Sequence, residues 1–514
     1  MQVSGNTPSG SARWLLFLLP AVLFLMNLGG APLFDVDEGA FSEATREMFV
    51  RHDFLSTWLN GAPRFDKPIL IYWCQAVFVW LFGPNEWSFR LPSALAASAW
   101  CYAVGLFAWQ RFGRAAGVLA CGIAATSLGV HVIGRAATAD ALLNMLLALA
   151  LLDGWRHLES GQRTPLLRSY LWIGLGVLTK GPIALLVPGA TTLIYCLTAG
   201  RFRDWLRSVF NPAGWAILLA VTVPWYAAAL AIHGQDFING FILKHNVERF
   251  SGSMEGHSGS LFYYVLMIPV LLLPWLSWLI ASVRRIPGDW KEPLPRFLWI
   301  WFIFVTAFFS LSGTKLPHYA LYGCTPLFVL LALHRERVKS VFLGALPLLL
   351  LMLFFIAMPS LLALSANAGW VKDSYYLAQV SRIAEAIPAA YYPLAALALL
   401  GSAAVLRLPF DPARHVLVIA CLNTLLLALA IAPFMGDVLQ GPVKRAGFVA
   451  RQYNEPTVLW NFHAPSFSVY SQRVTPTVQA QPGQIALTRT DRLPADAKVE
   501  ELYREGGVVL VRVK

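Results

Sequence analysis

The sequence predicts a mostly α-helical, polytopic membrane protein with a small α/β domain at its C-terminal end. Of the 514 residues, 57% are hydrophobic and 13% are charged, whereas about a quarter of the residues in soluble domains are charged. Apolar runs of spanning length recur from Trp14 to Phe434, and a more polar stretch follows. These observations exclude an ordinary soluble enzyme. They predict a membrane domain over residues 1–434 and a second domain over residues 435–514.

Thirteen apolar segments approach or reach the length of roughly 17 to 25 residues that a membrane-spanning helix needs. They are Trp14–Leu28, Pro92–Trp109, Ala115–Val132, Thr138–Trp155, Ser169–Thr179, Pro182–Leu197, Trp215–Ile232, Leu261–Val283, Phe297–Leu311, Tyr319–Leu333, Val341–Leu364, Ala389–Leu406 and Val416–Phe434. The first could also be the core of a signal peptide. Because Gly29–Pro32 is a poor cleavage site, we interpret it as a retained span.

The basic residues define the predicted orientation of these spans. One further apolar segment, Ile69–Phe82, is short, and the basic loops share one side of the membrane only if this segment does not cross. We therefore predict that it lies as a helix in the outer interface. The N-terminus is then cytoplasmic, residues 31–91 form the first periplasmic loop, and the tail is periplasmic.

Charge and cysteine usage exclude other classes. The formal net charge of +12 comes from Lys and Arg in short clusters between apolar runs, which indicates topology rather than a nucleic-acid surface. The six cysteines all lie inside apolar segments without a CxxC pair. This pattern predicts neither a disulfide framework nor a cysteine metal site.

The first predicted loop begins with three carboxylates, Asp35, Asp37 and Glu38, directly after the first span. A carboxylate in that position can accept the proton of a hydroxyl nucleophile or hold a cation. Simple solvated loop charge is the alternative. Asp35-Val36-Asp37 also has the spacing of the metal clamp of nucleotide-sugar enzymes, but no glycine-rich turn accompanies it.

Cationic side chains lie in three further outer segments. Lys67 introduces the interfacial helix, where an ammonium suits a lipid phosphate, although a lysine that snorkels to the interface is the alternative. Lys180 occupies a tight turn between two spans, and this turn alone favours a structural role for the lysine. The turn Ser312–Tyr319 carries Lys315, His318 and Tyr319, and it favours phosphate binding by Lys315 and Tyr319.

A weaker signal comes from the predicted outer loop 233–260. His245 and Glu248 are three residues apart, so on a helix they share a face. With a carboxylate of the first loop they form a candidate metal site, although a surface histidine is the commoner case. Asp140 and Asn144, near the outer end of the fourth span, are predicted to line a cavity.

These motifs together resemble a known family. The first loop carries Asp37–Met48, Asp53–Leu55, Leu59–Gly61 and Phe65–Pro68, and matching segments follow in order at Leu178–Pro182, His245–Phe250, Ser312–Tyr319 and Pro465–Tyr470. The ordered set is similar to the bacterial aminoarabinose lipid A transferases. These are GT-C glycosyltransferases of the protein mannosyltransferase superfamily.

The resemblance implies a GT-C bundle in the bacterial inner membrane and a polyprenyl-phosphate sugar donor. It also implies a periplasmic active site, inversion at the anomeric carbon and transfer to lipid A or another envelope glycan or glycolipid. By the resemblance, Asp37 is catalytic, Lys67 and Tyr319 hold the donor phosphate, and Asp66 with His245 occupies the position where some relatives bind a divalent metal ion. Lys315 is a further candidate for donor-phosphate binding because of its place in the outer turn. Further candidate pocket residues are Glu38, Lys180, Arg249 and His318.

Two departures remain, and a non-catalytic scaffold with a periplasmic partner domain is an alternative besides the competing class given below. Ala40 stands where many aminoarabinose transferases have Arg, and Asp66 stands where they have Glu. The first leaves the sugar open, and the second weakens the metal assignment. The competing class is a polytopic transporter or lipid flippase. Transporters usually show repeats, broken helices and charges near the bilayer midplane, whereas the charges here gather in the predicted outer loops.

Overall fold

The computed structural model describes residues 10–248 and 259–514, without the side chains of residues 10–13, 15 and 245–247. The first helices are α1 (Gly10–Leu25), α2 (Asp37–Arg51), α3 (Leu70–Phe82), α4 (Glu86–Phe112), α5 (Arg114–Thr126), α6 (Leu128–Gly134), α7 (Asp140–Ser160), α8 (Arg163–Lys180), α9 (Ile183–Thr198), α10 (Phe202–Val209) and α11 (Pro212–Phe237). A π-helical stretch, Ile238–Glu248, follows α11 directly.

The later α-helices are Tyr263–Leu271, Leu276–Val283, Ile286–Asp289, Pro293–Leu311, Thr325–Leu333, Val341–Asn367, Ser374–Val380, Ile383–Ala386, Tyr391–Val405, Pro412–Leu426, Ala432–Ala450 and Pro465–Ser471. Short 3₁₀ segments cover Pro317–Gly323 and Arg335–Arg337, and a π-helical turn covers Leu427–Ile431. The strands are β1 (Trp58–Leu59), β2 (Ala62–Pro63), β3 (Thr457–Leu459), β4 (Ile485–Arg489), β5 (Val499–Glu505) and β6 (Val508–Val513).

The chain is a multi-pass membrane protein, and each of the thirteen predicted spans overlaps a helix of the structure. Within the described residues, six helices are long and apolar enough to cross a membrane, or seven if α5 and α6, bent by 66°, form one span. Other predicted spans are broken or short. Leu261–Val283, for example, is interrupted near Pro274, because proline removes a backbone donor and clashes with the preceding turn. The count of thirteen therefore stays a prediction.

The predicted interfacial segment is the 13-residue helix α3. At 1.5 Å per residue it is about 20 Å long, which is too short for a hydrocarbon core of about 30 Å. Large apolar side chains on it are exposed, including Val77, Trp80 and Phe82. This surface suits contact with lipid, and the placement at the outer interface stays a prediction.

The tail contains the predicted α/β elements. Its sheet has the order β3-β4-β6-β5, with β3 and β4 parallel and the other pairs antiparallel. Helix Ala432–Ala450 passes across the domain boundary predicted at residue 435. The reason is packing, because Val443, Ala446 and Ala450 join the core of the tail. The same helix therefore belongs to the apolar bundle at its start and to the tail at its end.

The tail packs directly on the first loop. Ser466 donates its backbone N–H (2.9 Å) and its hydroxyl (2.5 Å) to the carboxylate of Asp35. Arg46 on α2 pairs with Glu43 at 2.7 Å and also donates to the carbonyl of Arg473. Helix α2 is accordingly held between the bundle and the tail.

Arg90 connects the start of α4 to both ends of the segment that links α1 to α2. Its guanidinium donates to the carbonyls of Leu28 (3.0 Å), Ala31 (2.7 Å) and Pro32 (2.8 Å). It also forms a two-pronged ion pair with Glu38 at 2.8 and 2.7 Å, and both side chains are buried. The end of α1 and the beginning of α2 are thereby fixed to one point.

Arg90→Met is expected to lower the free energy of unfolding by about 3–5 kcal/mol, because it leaves the buried carboxylate of Glu38 without its cation. Thermal unfolding in detergent measures the loss. Arg111→Met is the control, since it breaks the more exposed pair between Arg111 and Glu159 and should cost at most about 1 kcal/mol. Equal losses in the two variants would contradict this account of Arg90.

Candidate functional site

A cavity of about 390 Å³ lies where the first loop meets the ends of α6 and α7. Its polar lining includes Asn27, Asp35, Asp37, Glu38, Arg90, Arg135, Asp140 and His318. Parts of the wall are apolar, as at Leu28 and Ala432. A largely apolar cavity with a few convergent polar groups is the usual form of a small-molecule site.

Asp37 is the first residue of α2 and is exposed at this cavity. Its carboxylate forms no hydrogen bond or ion pair with any residue that the structure describes. The N-terminus of α2 carries no side-chain cap, and its helix dipole favours a negative charge at this position. The predicted catalytic carboxylate is therefore accessible, and within residues 10–248 and 259–514 it accepts no hydrogen bond.

Glu38 also lines the cavity, but its carboxylate forms an ion pair with Arg90 and accepts hydrogen bonds from the backbone. Besides Arg90, it accepts the N–H groups of Phe34 at 3.0 Å and Ala137 at 2.7 Å. These bonds join α2 to the loop between α6 and α7. The geometry therefore favours a framework role for Glu38 rather than the predicted contact with substrate.

Asp140, Lys180 and Tyr322 form a hydrogen-bonded cluster beside Asp37. The ammonium of Lys180 lies 2.5 Å from a carboxylate oxygen of Asp140 and 2.7 Å from the hydroxyl of Tyr322. Tyr322 in turn donates to Asp140 at 2.9 Å. Because Asp140 neutralises Lys180, this lysine is held in place rather than left as a free cation.

His318 lies between the carboxylates and the cations of the site. Its Nε2 atom is 3.7 Å from Asp140. Burial lowers the pKa of His318 to about 4, although Asp140 and Asp37 act to raise it, and Lys180 and Lys67 lower it further. The imidazole is therefore neutral near pH 7. The same interactions show that the structure brings Asp37, Lys67, Asp140 and Lys180 together around one side chain.

The three predicted phosphate ligands have different surroundings. Lys67 is half-buried, donates to the carbonyl of Asp66 at 2.9 Å and acts on His318. Tyr319 is buried, and its ring lies 5.3 Å from the ammonium of Lys180. Lys315 is also buried, and its ammonium donates to the carbonyl of Ser312 at 2.7 Å. Lys67 and Tyr319 therefore adjoin the cluster, whereas Lys315 contacts its own turn.

The predicted metal site is not supported by the described residues. Asp66 forms an ion pair with Arg64 at 3.2 Å. The positive guanidinium beside this carboxylate disfavours a metal cation at the same place. No group of three His, Cys, Asp or Glu side chains suited to a metal occurs in the described part of the chain. The side chain of His245, and Arg249 as a whole, lie outside the described residues.

Three residues of this region had no role in the sequence prediction. Arg64, Arg90 and Tyr322 each contact a predicted residue, namely Asp66, Glu38 and Lys180. For Arg90 a signal existed, because a charged residue at the edge of a long apolar helix usually has a buried partner. Tyr322 carries no such signal, since a tyrosine in an apolar segment is ordinary core composition.

Comparisons with known proteins bear on this site. A family model described as dolichyl-phosphate-mannose-protein mannosyltransferase matches residues 66–227. An undecaprenyl phosphate-α-4-amino-4-deoxy-L-arabinose arabinosyl transferase of Serratia proteamaculans is 30% identical over 338 residues, which are 64% of this chain and 60% of that protein. The chain thus spans about 60% of the length of the curated relatives that it matches. The resemblance deduced from the motifs is confirmed.

Solved structures show the same fold. ArnT from Cupriavidus metallidurans bound to undecaprenyl phosphate has a TM-score of 0.79 and 20% identity, with 98% of each chain covered. The Archaeoglobus fulgidus oligosaccharyltransferase in its apo form has a TM-score of 0.53 and 13% identity, with 91% of this chain and 64% of that chain covered. The mostly helical fold predicted from the sequence is therefore confirmed as that of ArnT.

The stability of the protein is expected to fall as pH rises through about 7, because of Asp35. Shielding from water raises the pKa of Asp35 from 3.8 to about 7, with a smaller contribution from Glu38 and against the hydrogen bonds from Ser466. The folded state therefore binds the proton more tightly than the unfolded state. Its stabilising contribution is complete below pH 4 and is lost progressively up to pH 7.

Asp35→Asn should remove this dependence and flatten the plot of unfolding free energy against pH by up to about 1.4 kcal/mol per pH unit between pH 5 and 7. Denaturant unfolding at a series of pH values measures the slope. Asp496→Asn, which alters an exposed carboxylate of the tail, is the control and should leave the slope as in the wild type. An unchanged slope for Asp35→Asn would show that Asp35 titrates normally.

Proposed function

We propose that this chain, with its likeness to the undecaprenyl phosphate-aminoarabinose arabinosyl transferases, is an inverting glycosyltransferase. It transfers a sugar from a polyprenyl phosphate, such as undecaprenyl phosphate, to an acceptor in the bacterial envelope. One observation carries the proposal: the unengaged carboxylate of Asp37 and the cation of Lys67 both act on His318, in a cavity at one end of a multi-pass bundle. A membrane-anchored donor requires its site in such a position.

The first task of the site is to stabilise the leaving phosphate. As the glycosyl–oxygen bond breaks, negative charge grows on the phosphate, and fixed cations in a partly dehydrated cavity stabilise it most effectively. Lys67 fits this role because its ammonium acts on His318 at the cavity, and the predicted interfacial helix α3 follows it directly in the chain. Lys180 is compensated by Asp140, so its role is to hold Tyr319 and Tyr322 in position. Lys315 remains a candidate ligand from the sequence alone.

The second task is to activate the acceptor. Asp37 accepts the proton of the acceptor oxygen while that oxygen forms its bond to the anomeric carbon. The bond between this carbon and the phosphate oxygen breaks on the opposite face, which inverts the configuration. His318, neutral near pH 7, is suited to hydrogen bonding with either substrate. Positioned general bases of this kind typically contribute about 10²–10⁴-fold in rate.

The acceptor and the orientation follow from the resemblance and the charge distribution. Lipid A is one candidate acceptor, and another envelope glycan, a glycolipid or a protein is the alternative. The positions of the basic loops support a candidate site and a tail on the periplasmic side of the inner membrane. Since Ala40 replaces an arginine frequent among aminoarabinose transferases, the proposal covers polyprenyl-linked sugars as a class.

Asp37→Asn is expected to reduce sugar transfer by about 10²–10⁴-fold, because the amide cannot accept the proton. Binding of undecaprenyl phosphate should be retained, since the helix and the cations are unchanged. Both are measured on the purified protein. Asp236→Asn changes an exposed carboxylate just after the kink in α11 and should behave as the wild type. Full transfer by Asp37→Asn would refute the assignment of the base.

The acceptor is identified by mass spectrometry of lipid A and other envelope glycans from cells with and without this protein. We expect one sugar-sized mass increment to disappear from one class of molecule in the deletion strain. It should return with the wild type and not with Asp37→Asn. Identical envelope glycans in the two strains, together with altered uptake or lipid flipping, would instead indicate a transporter or flippase.

A further inference from the structure

A second cavity, of about 960 Å³, lies at the opposite end of α4 from the candidate site. Helix α4 has 27 residues and is therefore about 40 Å long. Its first turn, at Glu86, contacts the tail through Lys444 and Tyr470. Arg114, two residues beyond its last turn, lines the second cavity. The two cavities are thus separated by the length of the bundle.

The rim of the second cavity is positively charged. It carries four basic and two acidic side chains, namely Arg114, Arg335, Lys339, Arg414, Glu336 and Asp411. Arg335 pairs with Glu336 at 3.0 Å and Arg414 with Asp411 at 3.0 Å. Arg114 and Lys339 are exposed, and neither forms an ion pair with a residue in the described part of the chain. Two cations are therefore uncompensated at one cavity.

Backbone charge adds to this field. Helix α5 begins at Arg114 and helix Pro412–Leu426 begins beside Asp411, so two helix N-termini adjoin the cavity. The N-terminus of α5 contributes partial positive charge and orients its backbone N–H groups toward an anion, whereas that of helix Pro412–Leu426 begins with a proline and is capped by the carboxylate of Asp411. The N-terminus of α5 has no side-chain cap. Charge from side chains and backbone thus favours a negatively charged occupant.

The deeper wall of the cavity is apolar. Val118, Leu119 and Leu417 line it, and Leu119 is buried. Immediately after Lys339, helix Val341–Asn367 exposes Phe342 and Leu343 at 67% and 58% of their surface, as expected for side chains that face hydrocarbon. The charged rim therefore continues into an apolar wall and a lipid-facing helix. No aromatic ring suited to stacking on a nucleobase is among the described residues of the lining.

We propose that this cavity binds the phosphate headgroup of an anionic phospholipid. Arg114 and Lys339 contact the phosphate, and Val118, Leu119 and Leu417 contact the glycerol backbone and the first acyl carbons. Basic pockets between spanning helices are known to suit anionic headgroups. A lipid fits better than a soluble phosphate compound, because a soluble compound would leave the apolar half of the lining exposed to water.

Native mass spectrometry of the purified full chain tests this proposal, with phosphatidylglycerol and phosphatidylethanolamine offered in equal amounts. The wild type should retain phosphatidylglycerol preferentially. The variant R114Q/K339Q should bind it about 30-fold more weakly, since each basic residue near an anionic headgroup contributes about 1 kcal/mol and 1.4 kcal/mol corresponds to tenfold. The conservative variant R114K/K339R should keep the preference.

The matched control is R203Q/R207Q, which removes two exposed arginines of α10 that have no ion pair with a described residue and lie outside the cavity. It should bind phosphatidylglycerol within about threefold of the wild type. Equal loss in both double variants, or no preference in the wild type, would overturn the proposal. Displacement of the lipid by millimolar inorganic phosphate would assign the site to soluble phosphate and reject the lipid. If R114Q/K339Q fails to fold, K339Q alone should show a roughly fivefold loss.

Discussion

The buried ion pair between Arg90 and Glu38 is the constraint on which the candidate site depends. It places the guanidinium against three carbonyls after α1 and against the first turn of α2. Because Asp37 directly precedes Glu38 in the chain, the position of the accessible carboxylate follows from that of the buried one. Two neighbouring acidic residues thus divide two tasks. Glu38 is buried and paired with Arg90, whereas Asp37 is exposed at the cavity.

The same division applies to the cations. Asp140 and Tyr322 engage Lys180, whereas the described bond of Lys67 is to a backbone carbonyl. The ion pair with Asp140 and the bond to Tyr322 hold Lys180 in a fixed position beside the cavity. The neutral imidazole of His318 lies between Lys67 and Lys180, because burial and the two lysines outweigh the two carboxylates. Such preorganisation lets charge develop on a substrate without rearrangement of the protein.

The sequence predicted the mostly helical class, apolar segments that each overlap a helix of the structure, and some of the residues that line the cavity, such as Asp37, Asp140 and His318. Spacing and chemistry sufficed for these, since apolar periodicity and motif residues are local properties. The sequence did not predict which charged side chains pair with each other. Glu38 and Asp37 look equivalent in the sequence, and only the fold shows that Arg90 engages the former. From its turn alone, Lys180 was interpreted as structural. The structure shows that Asp140 and Tyr322, which are distant in the chain, contact it. Helix Ala432–Ala450 crosses residue 435, because a drop in hydrophobicity marks a change of surroundings and not the end of a helix.

The contact between Ser466 and Asp35 has a consequence for any exchange of parts between related chains. Asp35 is two residues from Asp37, so the tail holds the polypeptide next to the candidate catalytic carboxylate. The tail and the first loop therefore make up one transplantable module, although residues 92–434 of the bundle separate them in the sequence. A chimera that swaps either half alone would pair mismatched surfaces at the very edge of the reaction chamber.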